Sequence, residues 1–470
     1  MDTIWPDTLA TEAGPKYKAV AQIIRAAVAE GTLTQGTRLP PVRDLAWQLK
    51  ITPGTVARAY TILTDEGLLN AEVGRGTFVA PPVDDDALFA PPIEVDSAAH
   101  NREAQDWRVN MVSPHLPSVG QAQLIRNLLA DIARDPPSGM MHYPDRTNAR
   151  PAREAVVKWL AGAQLGHMDQ GDVVLANGGQ SAIVLLMQAL LKGRKPVVLV
   201  EELSYPGFRR AADLVRADVV PVAMDAHGVI PEALARAAAQ HDAQIFCTSP
   251  EVHNPTCLFT PLQRRLELVE VARAHDLQII DDDCYQIAAA KAPSYRKLAP
   301  ERGWYVSSIS KSLTPALRVG MAIAPHGRAA PLRRAAEHAF FGLPTPILDL
   351  TAALLTHPQL PALTAQVQAG INQYVQAAVN ILGRYDLRWS ENVPFVWLPL
   401  PEGWRATAFC QAAEAQGVQV RAGEEFACRD ARSPHAVRFA INAGVRLETF
   451  RDAAGRLRML LDNPPEQINV

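Results

Sequence analysis

The sequence predicts two bodies of different fold class: a small α+β segment at the N-terminus, then a large α/β body built on a mostly parallel sheet. Three observations carry this. Short amphipathic helical patterns from residue 17 onward run into a glycine-bracketed turn between short apolar strands. Residues 81–92, PPVDDDALFAPP, set two proline pairs around an acidic triplet, which disfavours both helix and ladder pairing. Beyond about residue 108, apolar runs of strand length alternate with Ala-rich helical stretches. The expected division is residues 1–80, a linker over 81–107, and residues 108–470.

In the small segment, Val20, Ile23, Ile24 and Ala27 form one helical stripe over residues 17–28. Pro41 opens a second short helix containing Leu45, Ala46 and Leu49. Thr52-Pro53 reads as an N-cap followed by proline at the first helical position, so a third helix begins there, with Val56, Ala59, Tyr60 and Leu63 at core spacing. Thr55 and Arg58 face elsewhere. Three short helices with a tight turn between the second and third describe a helix-turn-helix. Leu68–Glu72 and Thr77–Val79 then flank Gly74-Arg75-Gly76, which suits a two-stranded wing with an arginine at its tip.

In the large segment, Pro196–Val200, Ala243–Thr248, Leu277–Asp281 and Tyr305–Ser308 read as strands. Strands separated by helical stretches imply right-handed crossovers and a sheet covered on both faces.

A chain of 470 residues, 48% hydrophobic and 20% charged, is long enough for more than one core. The formal net charge of -3 hides an uneven distribution. Residues 15–80 carry eight basic side chains (Lys16, Lys18, Arg25, Arg38, Arg43, Lys50, Arg58, Arg75) against five acidic ones (Glu30, Asp44, Asp65, Glu66, Glu72), a balance that fits a module approaching phosphate. The five cysteines form no CxxC pair and their nearest histidines lack zinc-ligand spacing, so reduced thiols and no metal site are expected. The N-terminus shows no apolar leader and no stretch approaches the ~20 apolar residues of a membrane span; a soluble, cytoplasmic protein is expected.

A bare three-helix segment fits a solvated cap as well as a DNA reader, and the full string discriminates. GTRLPPVRDLAWQLKITPGTVARAYTILTDEGLLNAEVGRGTFVA resembles the DNA-binding domain of the GntR family over its whole length. The resemblance implies that Arg43, Thr52, Thr55 and Arg58 contact phosphates and base edges of operator DNA, and that Arg75 touches the backbone or minor groove. Pro41 stands where the family usually has a small hydroxyl residue.

An isolated lysine is usually a surface amine. In SISKSLTPALRVG, however, Ser308, Ser310 and Arg318 surround Lys311 at a strand end, a set suited to a phosphate monoester beside an amine. The string resembles the cofactor-lysine segment of fold-type-I aminotransferases, which implies that Lys311 forms a Schiff base with pyridoxal 5′-phosphate and that the fold includes a smaller C-terminal α+β subdomain. By the same resemblance, Gly179 and Gln180 of LANGGQS would offer donors to the phosphate at a helix N-terminus. Tyr205 of ELSYPGF would lie over the pyridine ring. HNPTC resembles the family's Asn-Pro-Thr-Gly turn, with Cys257 replacing glycine and Asn254 bonding O3′. In IIDDDCYQ the family spacing selects Asp282 as partner of the pyridine nitrogen and Tyr285 for O3′, with Asp281 or Asp283 open should the register slip by one. Arg438 of AVRFAIN would grip a ligand carboxylate, and Tyr143 would reach the neighbouring subunit's phosphate although the family's following glycine is missing.

The combination is similar to the MocR subfamily of GntR regulators. It implies a PLP-dependent regulator, usually a head-to-tail homodimer, that senses an amine, an amino acid or PLP itself. A catalytically active aminotransferase with an accessory DNA-binding module is the competing expectation.

Overall fold

The computed structural model describes Trp5 and residues 16–66, 68–72, 76–80, 108–285, 288–429, 431 and 434–464. The chain divides into two compact units, Met1–Ser97 and Ala98–Val470. The boundary falls within the expected linker, whose residues lie outside the described ones, as does Arg75 at the expected wing tip.

The small unit comprises α1 (Lys16–Ala29), α2 (Val42–Gln48), α3 (Pro53–Asp65), β1 (Leu69–Glu72) and β2 (Gly76–Val79). Helical periodicity explains its core: Val20, Ile24, Leu45, Val56, Ala59 and Leu63 are fully buried against one another. Each Val, Leu or Ile among them contributes about 1.5–3 kcal/mol relative to exposure. Lys50, at φ +52, turns the chain from α2 into α3, and Ile51 N–H returns to Ala46 O at 3.0 Å. Thr52 precedes α3 in extended conformation, but its side chain does not cap the helix: its Oγ1 pairs with Thr55 Oγ1 at 2.9 Å. Thr52 thus holds the expected N-cap position ahead of Pro53 without a side-chain bond to the helix backbone, and Pro53 at the first position removes one N–H that would need a cap. β1 and β2 pair antiparallel from Leu69↔Val79 to Glu72↔Gly76, and residues 36–39 bond to the outer edge of β2.

The large unit begins at β3 (Val109–Asn110) and is organised by a seven-stranded sheet. Its strands are β4 (Val173–Ala176), β5 (Val197–Glu201), β6 (Asp218–Val222), β9 (Ile245–Thr248), β10 (Gln278–Asp282), β11 (Gly303–Ser308) and β12 (Gly320–Ile323), while β7 (Met224–Asp225) and β8 (Gly228–Val229) form a separate hairpin. The spatial order is β4-β12-β11-β10-β9-β5-β6. Only β12 runs antiparallel to its neighbours, β11 and β4. The inner strands β9, β11 and β12 are buried along their whole length, and β10 from Ile279 onward, as expected where helices cover both faces. Side-chain alternation divides the core: Ile280 packs with the helix Gly179–Leu190 on one face, Ile279 with the helices Pro231–His241 and Leu262–Ala274 on the other.

A second antiparallel sheet, β13 (Phe395–Pro399), β16 (Ala436–Ala440) and β15 (Arg421–Ala422), packs with the helices Leu360–Leu382, Ala406–Ala415 and Leu447–Asp462 into an α+β subdomain. β14 (Val418–Gln419) pairs in parallel with β3, so the first described residues of the large unit are sewn onto its C-terminal part. Among the described residues, no helix is long and apolar enough to cross a membrane.

Candidate functional site

The site is assembled at the C-terminal ends of the parallel strands, where an open α/β sheet leaves a crevice. β4 ends at Ala176, and the chain turns through Gly178, at φ +87, into the helix starting at Gly179. This turn is crowded. A Cβ on Gly178 would stand 2.5 Å from Arg318 Nη2, and one on Gly179 would stand 2.5 Å from Cys284 Sγ. A Cβ on Gly320, at the start of β12, would lie 2.2 Å from the Gly178 carbonyl carbon. Glycine at all three positions lets the helix N-terminus, the Arg318 fork and the end of β10 approach one another.

Lys311 closes the short 3-10 turn Ile309–Lys311 after β11 and is half-buried, its Nζ 5.7 Å from the centre of the Tyr285 ring. The Ser308 hydroxyl donates to Val319 O at 3.0 Å, accepts from Ser310 N–H at 3.1 Å, and stands 2.9 Å from Ser310 Oγ. Ser308 thus shapes the turn that carries the lysine. The Tyr285 ring meets Phe395 edge-on at 5.0 Å.

The three aspartates, equivalent in sequence, are placed in three environments. Asp281 points to the Ile279 face and accepts from Tyr295 N–H at 2.9 Å. Asp283 accepts from Tyr305 Oη–H at 2.7 Å. Asp282 lies on the Ile280 face, toward the helix that starts at Gly179, and accepts from Cys284 N–H at 3.2 Å. All three are buried. Burial pushes the Asp282 carboxyl up to about 6, opposed by its bonds from Cys284 and assisted by the charge of Glu201. Burial pushes Asp281 up to about 7, with Arg265 opposing.

Asn254 and Arg438 form one buried pair: Arg438 Nη1 donates to Asn254 Oδ1 at 2.8 Å. Arg438 Nη2 donates to Val112 O at 2.6 Å, and the guanidinium lies 5.3 and 4.9 Å from the ring centres of Phe395 and Phe426. Asn254 Nδ2 is buried without a hydrogen-bond partner among the described residues. Cys257 occupies its turn at φ +60, the left-handed conformation that explains why glycine is usual there. Tyr205 precedes the helix Pro206–Leu214, and its ring folds over Gly207, where a Cβ would stand 2.0 Å from it. Gln180 Nε2 donates to Gly207 O at 2.9 Å, so its side-chain donor serves this turn and its backbone N–H is what it offers at the helix start. Tyr143 stands apart from these residues, 85% exposed, with its ring 6.4 Å from that of Phe341.

In the small unit Arg43 and Arg58 are exposed, as is Thr52, while Thr55 is half-buried. The Arg58 guanidinium rests 4.3 Å from the centre of the Tyr17 ring, a cation–π contact between α3 and α1.

Sequence reasoning missed Gly178, Gly207, Gly320 and Cys284, which shape the crevice without contributing charge. Their signal was present: each lies inside or beside a string already singled out for its polar residues. Val112, which contributes only a carbonyl, carried none.

The comparisons agree with this division. Residues 119–457 match the family "aminotransferase class I and II", and residues 16–79 match "bacterial regulatory proteins, gntR family". The chain is 26% identical to the uncharacterized HTH-type transcriptional regulator YdeF of Bacillus subtilis, over 98% of this chain and 97% of that protein. It is 27% identical to the vitamin B6 salvage pathway transcriptional repressor PtsJ of Salmonella typhimurium, over 88% and 91%. Among solved structures, an archaeal alanine:glyoxylate aminotransferase superposes with a TM-score of 0.68 at 19% identity, covering 77% of this chain and 92% of that one, a likeness of fold. The chain belongs to the aminotransferase class I and II family, joined to a gntR-family DNA-binding domain in the arrangement of the MocR subfamily.

Proposed function

We propose that this chain is a cytoplasmic transcription regulator. It binds operator DNA through its small unit and senses an amine, an amino acid or pyridoxal 5′-phosphate itself through its aminotransferase-like unit. The observation that carries this reading is the union, in one chain, of a gntR-family domain with an aminotransferase fold that keeps Lys311, Asp282 and Arg318. The names of YdeF and PtsJ, both HTH-type or transcriptional regulators matched along most of their length, support it.

The residues suit the cofactor. Asn254 Nδ2 is a buried donor in want of an acceptor, and Asp282 is a buried carboxylate bonded by Cys284 with the charge of Glu201 acting against it. Gly178 and Gly179 form a cradle that any Cβ would fill. When bound, pyridoxal 5′-phosphate supplies an aldehyde and an electron-withdrawing pyridine ring. Lys311 would carry the aldehyde carbon. Arg318, the N–H groups of Gly179 and Gln180, and the Ser310 hydroxyl would hold the phosphate, with Ser308 fixing the turn beneath them. The Asp282 carboxylate would keep a proton on the ring nitrogen, and that cation would in turn draw Asp282 toward its charged form. Asn254 and Tyr285 would serve O3′, Tyr205 would cover the ring, and Tyr143 would reach the neighbouring subunit's phosphate in a head-to-tail homodimer. Arg438 would grip the acidic group of an amino-acid ligand. In the small unit, Arg43, Thr52, Thr55, Arg58 and Arg75 would meet DNA.

The retained site residues also support a second reading, a working aminotransferase with an accessory DNA-binding module. One experiment separates the two: fluorescence anisotropy on the DNA upstream of the chain's own gene, with and without candidate amines, beside an assay for keto-acid product. A regulator changes its DNA affinity with the amine and gives little product. Rapid multiple turnover with DNA affinity indifferent to the amine would overturn the proposal.

A further inference from the structure

We propose that His167, Asp169 and His326 form a surface site for a divalent transition-metal cation of the zinc class. The three residues are separated by up to 159 positions in the chain, yet one nitrogen from each histidine and a carboxylate oxygen of Asp169 lie within 4.8 Å of one another. His167 and Asp169 belong to the loop that enters β4, and His326 to the turn that leaves β12. Because β4 and β12 pair antiparallel with Val173 opposite Ile323, these two loops meet at the edge of the sheet remote from Gly178. Six residues of extended chain, from Asp172 to Gly178, put about 20 Å between this edge and the cofactor crevice.

The arrangement is supported from behind by buried groups. His326 Nδ1 lies 2.9 Å from Asp172 Oδ2, and Asp172 is itself buried, accepting from Arg296 Nη2 at 3.0 Å and Gly327 N–H at 3.1 Å. Arg296, also buried, donates to the carbonyls of Leu165, His167 and Ala324 at 2.7, 2.8 and 2.7 Å, so one guanidinium fixes the backbone of both loops. A carboxylate that holds one imidazole nitrogen leaves the other with its lone pair outward, the usual support of a metal-bound histidine. Asp169 is oriented too: its Oδ1 accepts from Gly171 N–H at 2.6 Å, and its Oδ2 is 3.9 Å from His326 Nδ1. The imidazole rings stand edge to face with centroids 4.6 Å apart.

Two imidazoles and one carboxylate select the cation class. Calcium and magnesium prefer oxygen ligands throughout, whereas zinc and its neighbours accept this mixed set and leave a position for water. Tetrahedral zinc with ligands at about 2.0–2.1 Å needs donor atoms roughly 3.3 Å apart. The donors lie within 4.8 Å of one another, so the exposed side chains, 52% and 56% for His326 and Asp169, would draw together by up to about 1.5 Å on binding.

The test is a Zn²⁺ titration of the full-length protein by isothermal calorimetry in a non-chelating buffer, beside His167→Ala and Asp169→Asn. Neither substitution removes a side chain of the Asp172–Arg296 pair, and asparagine keeps the turn to Gly171. Wild type should take up one equivalent that both variants bind roughly tenfold or more weakly. Zn²⁺ should also raise the unfolding temperature of wild type, a gain the variants lack. Absence of saturable uptake, or uptake that neither variant weakens, overturns the site. Asp169→Asn alone decides the matter if His167→Ala loosens its loop.

Discussion

Gly178→Ala probes the proposed phosphate cradle with an internal control. Gly178 sits at φ +87 with Arg318 Nη2 2.5 Å from the position of an added Cβ; Gly193 sits at φ +84 with open space around that position. With ψ 170, Gly178 lies in a region that is essentially glycine-only, where a Cβ costs about 1–3 kcal/mol, and positive φ costs Gly193→Ala about 1–2 kcal/mol, so both variants should lose stability in urea unfolding. Only Gly178→Ala should also push the Arg318 fork aside. A hydrogen bond to a charged group contributes about 1.5–3 kcal/mol, so losing one from the phosphate grip weakens cofactor affinity roughly 10- to 150-fold. The assay is absorbance titration of the apoprotein with pyridoxal 5′-phosphate, with Arg318→Ala as a third variant expected to resemble Gly178→Ala. Equal affinity in Gly178→Ala and Gly193→Ala would refute the reasoning that places the phosphate under Arg318.

Borohydride reduction of the loaded protein followed by peptide mapping should find the pyridoxyl group on Lys311; label on Lys192 or Lys291 would dismiss the site. Asp282→Asn should weaken cofactor retention and shift its absorption, whereas unchanged values would point to Asp281 or Asp283. Asp281 carries a pH signature of its own. Its carboxyl is raised to about 7 by burial, so its contribution to stability is full below about pH 4 and is lost as pH rises through about 7. Asp281→Asn should therefore gain thermal stability relative to wild type at pH 8 compared with pH 5, and an equal change at both pH values would contradict this. In the small unit, Arg58→Ala should cost about 1–3 kcal/mol of sequence discrimination and Arg43→Ala should lower the salt slope of DNA binding by about one, both read by anisotropy in a salt titration.

Local chemistry made much of this legible in the sequence. Helical stripes such as Val20–Ile24–Ala27 and the Thr52-Pro53 start located the small unit because each acts within a few residues. The polar strings around Lys311, Asn254 and Asp282 were legible because the chemistry requires those residue types. Among the three consecutive aspartates the family spacing selected Asp282 but left Asp281 and Asp283 open, since only the strand's alternation and the positions of Tyr295 and Tyr305 give each its own partner. The reversal of β12 and the meeting of Gly320 with Gly178 arise from pairing across more than a hundred residues, which no local pattern encodes. The same holds for Arg58 on Tyr17, a contact between two helices whose separate periodicities say nothing of their outer faces.

The Arg438–Val112 hydrogen bond has a mechanical side. Val112 lies five residues beyond the segment 81–107, and its neighbours are fastened to the same subdomain: Met111 N–H to Gln419 O at 2.9 Å, Ala440 N–H to Met111 O at 2.7 Å, and Asn442 Nδ2 to Asn110 O at 2.8 Å. These bonds moor the first described residues of the large unit to its α+β subdomain, and one of their lines is the Arg438 guanidinium. Losing the Arg438–Val112 bond would slacken that line by one charge-assisted hydrogen bond, about 1.5–3 kcal/mol, and so loosen the start of the large unit on its own subdomain.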